Sequence, residues 1–248
     1  MLAFIIPLKS ASSSKDWRRT CELFERCLRS TCNQNSPHFV TLVVCNEIPD
    51  VKFNHPQVKY IQVDFIPPEK VADPVVRGLT DKGRKLLKGI DFSKQFNPSH
   101  VMFVDADDCV SSHIAEYVHN RQNENGWYLK SGFKYREGEN CVYLKSRNFY
   151  RMSGTANILR FDHLRLTDHP EYNRGYGYYK FYIDHQKVKR VMHERGSPLQ
   201  PLPFSGAVYM LATGDNMSGN ENNLAFNVFS RRKLTPEIQK QYCLYKIE

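Results

Sequence analysis

No apolar run in this chain is long enough to cross a bilayer. The longest near the N-terminus, Leu2 to Leu8, has seven residues, contains Pro7 and follows no basic segment, so it reads as neither a span nor a secretory leader. Cysteine is present but shows no framework: the seven cysteines are odd in number, irregularly spaced and without a C-x-x-C pair, which argues against a disulfide scaffold or a zinc site. A reducing, cytoplasmic setting is therefore expected, with the inner membrane surface as a peripheral station. Internal repeats and low-complexity linkers are also missing. Acidic residues are the scarcer charge, 26 against 35 Lys and Arg, giving a net charge of +9 and a pI near 9.1. That excess favours an anionic partner such as a nucleotide, a phosphorylated acceptor, a nucleic acid or an acidic membrane surface.

What is there is a folded globular chain. Its 248 residues, 41% hydrophobic and 12% aromatic, suffice for one large α/β domain or two small ones, and one is the simpler account. LAFIIPL (2–8) has strand length, and the Ser-rich 10–14 stretch reads as a loop. Ser13 and Asp16 form a capping-box-like pair before Trp17, Cys21, Phe24 and Leu28, which repeat at helical spacing. FVTLVVCN (39–46) and VKYIQVDF (58–65) read as strands. A helix is predicted around 75–90, then a strand in SHVMFVDADD whose continuous apolar run suits burial on both faces. Ser111 or Ser112 is placed to cap a helix carrying Ile114, Tyr117 and Val118 on its inner side. Alternation from Trp127 to Tyr135, the turn EGEN and CVYLK predict a hairpin, and Thr235 with Pro236 opens a last short helix. The order of elements predicts a mostly parallel sheet built from right-handed crossovers, changing character near residue 125. One domain with a nucleotide-fold first half (1–110) and an elaborated second half (111–248) is the simplest account.

In VMFVDADDCV a buried strand runs into Asp105, Asp107 and Asp108. Residues two apart on an extended strand share a side, so Asp105 and Asp107 can face one point while Asp108 begins the loop. Ligands of open α/β sheets bind outside the carboxyl ends of the strands. Adjacent carboxylates repel unless a cation compensates, and hard divalent ions favour oxygen ligands. Mn²⁺ or Mg²⁺ bridging to a diphosphate would explain the trio. The competing explanation, helix capping or a turn, accounts for one Asp more easily than for three.

With its Pro7-containing opening strand, its basic helix and FVDADD, the chain resembles the family-2-like glycosyltransferases of the A-type fold, over roughly residues 2–165. The resemblance implies a central, mostly parallel sheet flanked by helices with a hairpin-containing acceptor half, and a metal-dependent transfer of sugar from a UDP- or GDP-linked donor to a glycan, lipid-linked or other hydroxyl acceptor. It implies that Asp105 and Asp107 contact the ribose and the metal-bound diphosphate, Asp107 as the direct ligand. It further implies an inverting course.

The supporting residues each carry a plainer alternative. DKGRKLLKG sets Lys82, Arg84, Lys85 and Lys88 around one helical stretch, Lys85 and Lys88 on one face, as diphosphate donors or as a solvated surface. Pro7 and Glu47 occupy positions that the resemblance assigns to the donor site, although Glu47 would also suit a surface loop. In MSGTANILR, Gly154 permits close approach, and Thr155 and Asn157 offer hydrogen bonds to donor and acceptor; a turn entering a strand is the alternative. Asp184 is the favoured catalytic base for the acceptor hydroxyl, ahead of Glu171 and Asp168. His193 is a candidate third metal ligand and His185 a candidate for the metal or the acceptor, imidazole being suited to Mn²⁺, though a lone histidine is more often structural. The polar stretch GAVYMLATGDNMSGNENN, with Asp215, would suit a lid over the donor.

Two other functions compete. A nucleotidyltransferase making an activated sugar shares acidic metal ligands, but its Gly-rich loop is missing: PLKSASSSKD has the lysine and no glycine. A non-catalytic module binding nucleic acid or anionic glycan through KVKR and SRRK would be repelled by three gathered carboxylates, so nucleic acid is not the expected partner.

Overall fold

The buried opening strand is flanked on both sides by parallel partners. In a computed structural model describing residues 1–65, 73–211, 213 and 228–247, β1 (Leu2–Pro7) pairs in parallel with β2 (Phe39–Cys45) and with β4 (His100–Phe103), and β2 with β3 (Val58–Gln62). β1, β2 and β4 are almost wholly buried, as their unbroken apolar runs require in a sheet covered on both faces. β9 (Asn157–Arg160) then runs antiparallel to β4, followed by β6 (Gly126–Tyr128) and β10 (Gln200–Pro201). The resulting order among the described residues is β10-β6-β9-β4-β1-β2-β3. This is a mixed α/β fold with a central, mostly parallel sheet flanked by helices.

Helix α1 (Trp17–Cys32) covers one face, burying Cys21, Phe24 and Leu28. Its cap is Asp16, which accepts the Arg19 amide at 3.0 Å, and not Ser13, which lies in a preceding 3-10 turn and donates its hydroxyl to the Ser10 carbonyl at 3.0 Å. Helix α2 (Pro74–Ser93) lies on the other face, capped by Asp73 with Pro74 in its first turn. Helix α3 (Ile114–His119) starts behind His113 without a side-chain cap, because the Ser111 hydroxyl accepts the His113 amide at 3.3 Å, before the helix begins. Helix α4 (Tyr176–Ile183) packs on α2, and α5 (His185–Glu194) follows it directly.

A second sheet has the order β12-β8-β7-β11-β5, made of β5 (Cys109–Val110), β7 (Gly132–Arg136), β8 (Cys141–Lys145), β11 (Ala207–Leu211) and β12 (Arg231–Lys233). The expected strand from 127 to 135 is therefore two strands in two sheets, and the hairpin is β7 with β8. Both pieces alternate, so period-two patterning does not reveal where the chain leaves one sheet for the other. Helix α6 (Pro236–Tyr242) begins at Thr235, whose hydroxyl accepts the Ile238 amide. No helix among the described residues is long and apolar enough to cross a membrane.

Candidate active site

The end of β4 is extended by one bond, Val104 donating its amide to the Ile5 carbonyl at 3.0 Å. The chain then turns. Asp108 donates its amide to the Asp105 carbonyl at 3.0 Å, so the three acids sit on a tight turn and the alternation expected of an extended strand does not apply to them. Asp105 and Asp107 are half-buried, whereas Asp108 is wholly buried.

Asp105 forms an ion pair with Lys82 from α2. Its amide donates to Thr155 Oγ1 at 2.9 Å, and the Thr155 amide donates to Ser153 Oγ at 2.9 Å. Gly154 lies against this pair: a Cβ there would stand 2.5 Å from Asp105 Oδ2 and 2.8 Å from Lys82 Nζ, so a larger residue would displace the contact. Burial acts to raise the Asp105 carboxyl, but the charge and hydrogen bond of Lys82 outweigh it and hold the group below its ordinary range. Asp107 is pushed the other way, up to about 6, first by burial and then by the negative charge of Asp105. The turn thus holds two neighbouring carboxylates of opposite character.

Asp108 faces inward. It accepts Ser153 Oγ at 2.6 Å and the Met210 amide of β11 at 3.1 Å, and burial with the charges of Asp107 and Asp105 drives its pKa well up. It joins the turn to the second sheet. Ser153, which sequence reasoning passed over, supports both Asp108 and Thr155; the small-residue run MSGTAN was its only signal.

The basic residues of α2 diverge. Lys85 is fully buried, donating to the Leu8 carbonyl at 2.8 Å and to Asp81 at 2.7 Å. Arg84 is buried beside Tyr179 of α4, and Lys88 lies 5.3 Å from the Tyr172 ring centroid. Lys82 is thus the member of the group that meets the acidic turn. Pro7 closes β1 opposite Val44, and Glu47 accepts the Ala11 amide at 2.7 Å, fastening the Ser-rich loop.

Asn157 opens β9 and donates through Nδ2 to the His185 carbonyl at 3.1 Å. His185 heads α5, near enough for Asp105 and Lys82 to act on its charge. Asp184 faces elsewhere, accepting Lys187 at 2.9 Å and the Tyr176 hydroxyl at 3.2 Å; burial would raise it, but these donors bring its pKa below the ordinary value. His193 is exposed at the far end of α5, about 12 Å along the helix from His185. Glu171 is exposed and paired with Arg174, and Asp168 is exposed. Among the described residues no three His, Cys, Asp or Glu side chains gather as a metal-holding group, so His193 does not join Asp105 and Asp107. Of the suggested lid, Ala207–Leu211 is β11; Asp215 lies outside the described residues.

The chain is thus a mixed α/β protein with an acidic turn at the carboxyl end of a central parallel strand. No family model matches it, and no curated protein does. Among solved structures it is similar to residues 1–349 of S. aureus TarS, at 14% identity and a TM-score of 0.48, covering 84% of this chain and 60% of that one. It is similar also to the Francisella tularensis 2-C-methyl-D-erythritol 4-phosphate cytidylyltransferase, at 12% identity and a TM-score of 0.41, covering 87% of this chain and 92% of that one. An active-site mutant of LgtC gives 10% identity and a TM-score of 0.40, covering 97% of this chain and 82% of that one. The chain spans about 60% of the TarS fragment's length.

Proposed function

We propose that this protein is a metal-dependent glycosyltransferase that moves a sugar from a UDP- or GDP-linked donor to a hydroxyl acceptor with inversion at the anomeric carbon. The observation that carries the reading is the acidic turn: Asp105 and Asp107 at the carboxyl end of β4, with the Lys82 ammonium and Gly154 packed against Asp105.

The donor set fits a hard divalent ion. Mg²⁺ and ions like it are commonly held by one or two carboxylates, with substrate phosphates and water completing the shell, so two aspartates suffice where a diphosphate arrives with the metal. Asp105 and Asp107 would hold Mn²⁺ or Mg²⁺, which when bound supplies Lewis-acid stabilisation of the departing diphosphate. Lys82 serves as a point charge for a phosphate oxygen beside Asp105. Gly154 lets Asp105 and Lys82 close against the backbone, where a side chain would push them apart. Thr155 fixes the Asp105 backbone, and Asp108 anchors the turn from behind, so the carboxylates are oriented before any ligand arrives.

Thermal unfolding with nucleotides tests this. With Mn²⁺, UDP or GDP at about 100 times its dissociation constant stabilises the chain by about 2.7 kcal/mol, raising the melting temperature by about 5–10 °C. Asp107→Ala abolishes the metal-dependent part of that rise. The reading fails if neither diphosphate stabilises the protein with metal, or if Asp107→Ala keeps the whole shift; a shift given by nucleoside triphosphates alone points to nucleotidyl transfer.

A further inference from the structure

One corner of the second sheet carries charge of a single sign. Edge strand β12 presents Arg231, Arg232 and Lys233, all exposed, and pairs antiparallel with β8, Arg231 opposite Tyr143 and Lys233 opposite Cys141. That pairing sets the start of β12 beside the end of β8, where Lys145 and, two residues on, Arg147 are exposed. Both segments are free of acid: neither 140–161 nor 222–236 contains Asp or Glu. Glu139, which precedes β8, is engaged by the Tyr143 hydroxyl at 2.9 Å and by Arg136 at 3.8 Å, and it acts also on Arg231.

Beside these cations stands an apolar side chain. Phe229 is 88% exposed, and it belongs to the 3-10 turn Val228–Ser230 that leads into β12 and packs on β8. Arg232 Nη1 ties that turn to the strand, donating to the Phe229 carbonyl at 2.9 Å and to the Arg231 carbonyl at 2.8 Å. Charged residues on an edge strand commonly guard it against pairing with another chain. That accounts for β12. It does not account for Lys145 and Arg147, which lie beyond the residues β12 pairs with, and an exposed phenyl ring works against it.

Cations around an exposed aromatic ring match an anionic lipid surface, where the ring enters the boundary of headgroups and acyl chains while Lys and Arg meet the phosphates. We propose that the corner formed by Phe229, Arg231, Arg232, Lys233, Lys145 and Arg147 docks the protein on a membrane rich in anionic lipid, as a peripheral contact that needs no spanning helix. The net charge of +9 adds long-range attraction to the same surface. The contact is independent of the acidic turn and of the reaction that occurs there.

Co-sedimentation of the full chain with vesicles of phosphatidylcholine, with and without phosphatidylglycerol, tests the contact. The native chain binds the anionic vesicles and not the neutral ones, and binding weakens as salt is raised. Lys145→Glu with Arg147→Glu lowers the affinity about 25-fold or more, since each cation near such a surface contributes about fivefold. Lys52→Glu with Lys59→Glu, the same change in net charge at exposed positions before and on β3, lowers it by less than about threefold. Phe229→Ser weakens binding, and Phe229→Trp gives a ring whose emission shifts to the blue on anionic vesicles. Should the glutamates lower the melting temperature, Lys145→Gln with Arg147→Gln reads the same contact with a smaller loss. A native chain that does not sediment with anionic vesicles overturns the proposal. So does a loss from the Lys52 and Lys59 pair as large as that from the corner, which makes net charge the whole cause. Binding to heparin or single-stranded DNA as tight as to vesicles, with Phe229→Ser leaving vesicle binding unchanged, makes the corner a site for soluble polyanions and overturns it too.

Discussion

The two sheets of this protein differ in how far polar bonds supplement apolar packing. The seven-stranded sheet has its central strands packed on both faces, with Phe4, Leu28 and Val43 on one side and Ile5, Leu42 and Leu86 on the other. Its cohesion is apolar burial, which needs no particular partner. The five-stranded sheet shares the core around Phe4 through Val110 and Ala207 and has a smaller apolar cluster of its own around Tyr135, Val142 and Val208, and polar joints add to its attachment: Asp108 to Met210, Arg26 to Glu137 at 2.7 Å, and Tyr242 to the Ser205 carbonyl at 2.6 Å. A polar joint is worth little while made and much when broken, because the group left behind is buried and bare. The acidic turn lies between the two sheets, and its three aspartates divide accordingly: Asp105 and Asp107 partly exposed, Asp108 buried in the joint.

Substitutions can break this contrast at either end. The largest stability loss is expected from Asp108→Ala, which removes a buried acceptor from the Ser153 hydroxyl and the Met210 amide; about 2–5 kcal/mol should vanish from the urea-unfolding free energy. A loss below about 0.5 kcal/mol would mean that the joint is ornamental and the contrast wrong.

The seven-stranded sheet carries its own buried polar exception in His100 on β4, whose Nε2 lies 2.9 Å from the Glu124 carbonyl. Burial lowers its pKa from 6.5 to about 4, against the effect of that carbonyl. The unfolded chain therefore takes up a proton near pH 6.5 that the folded chain refuses until about pH 4. Stability from this group is present above pH 6.5 and is lost as the pH falls through that window, up to about 3 kcal/mol over its full width. Urea midpoints at pH 7 and pH 4.5 should show the loss, and His100→Gln should flatten it.

The smallest effect is expected at Gly89 on α2, where an added Cβ would run into the Ile5 side chain and come 3.2 Å from Val44 Cγ2. Overpacking costs about 1–3 kcal/mol, but alanine's better helix propensity returns about 1, so Gly89→Ala should cost about 1 kcal/mol by the same measurement. A stabilised variant would show that apolar packing here has slack.

Much of this was legible from the chain. The N-terminal strands announce themselves because each is a short apolar run, and α1 and α2 because their apolar residues recur at helical spacing. FVDADD marks a strand end as a place for charge. The split within it was not legible: the pattern suits an extended strand with Asp105 and Asp107 on one side, whereas a turn closed by the Asp108 amide sets their positions. Nor did the basic run on α2 say which residue faces the site. Lys82 and Arg84 are two positions apart, hence on different sides of a helix, and only the seat of α2 between the sheet and α4 decides which side is which.

The sequence by itself determined where strands and helices form in the parallel half, and that acid would collect at the end of a buried strand, because both follow from local periodicity and burial. Tertiary structure alone decided that Lys82 would meet Asp105, that Gly154 would pack against that pair, and that Asp108 would bind the second sheet. Those meetings join residues far apart in the chain, and they depend on sheet order and helix packing, to which no local pattern is sensitive.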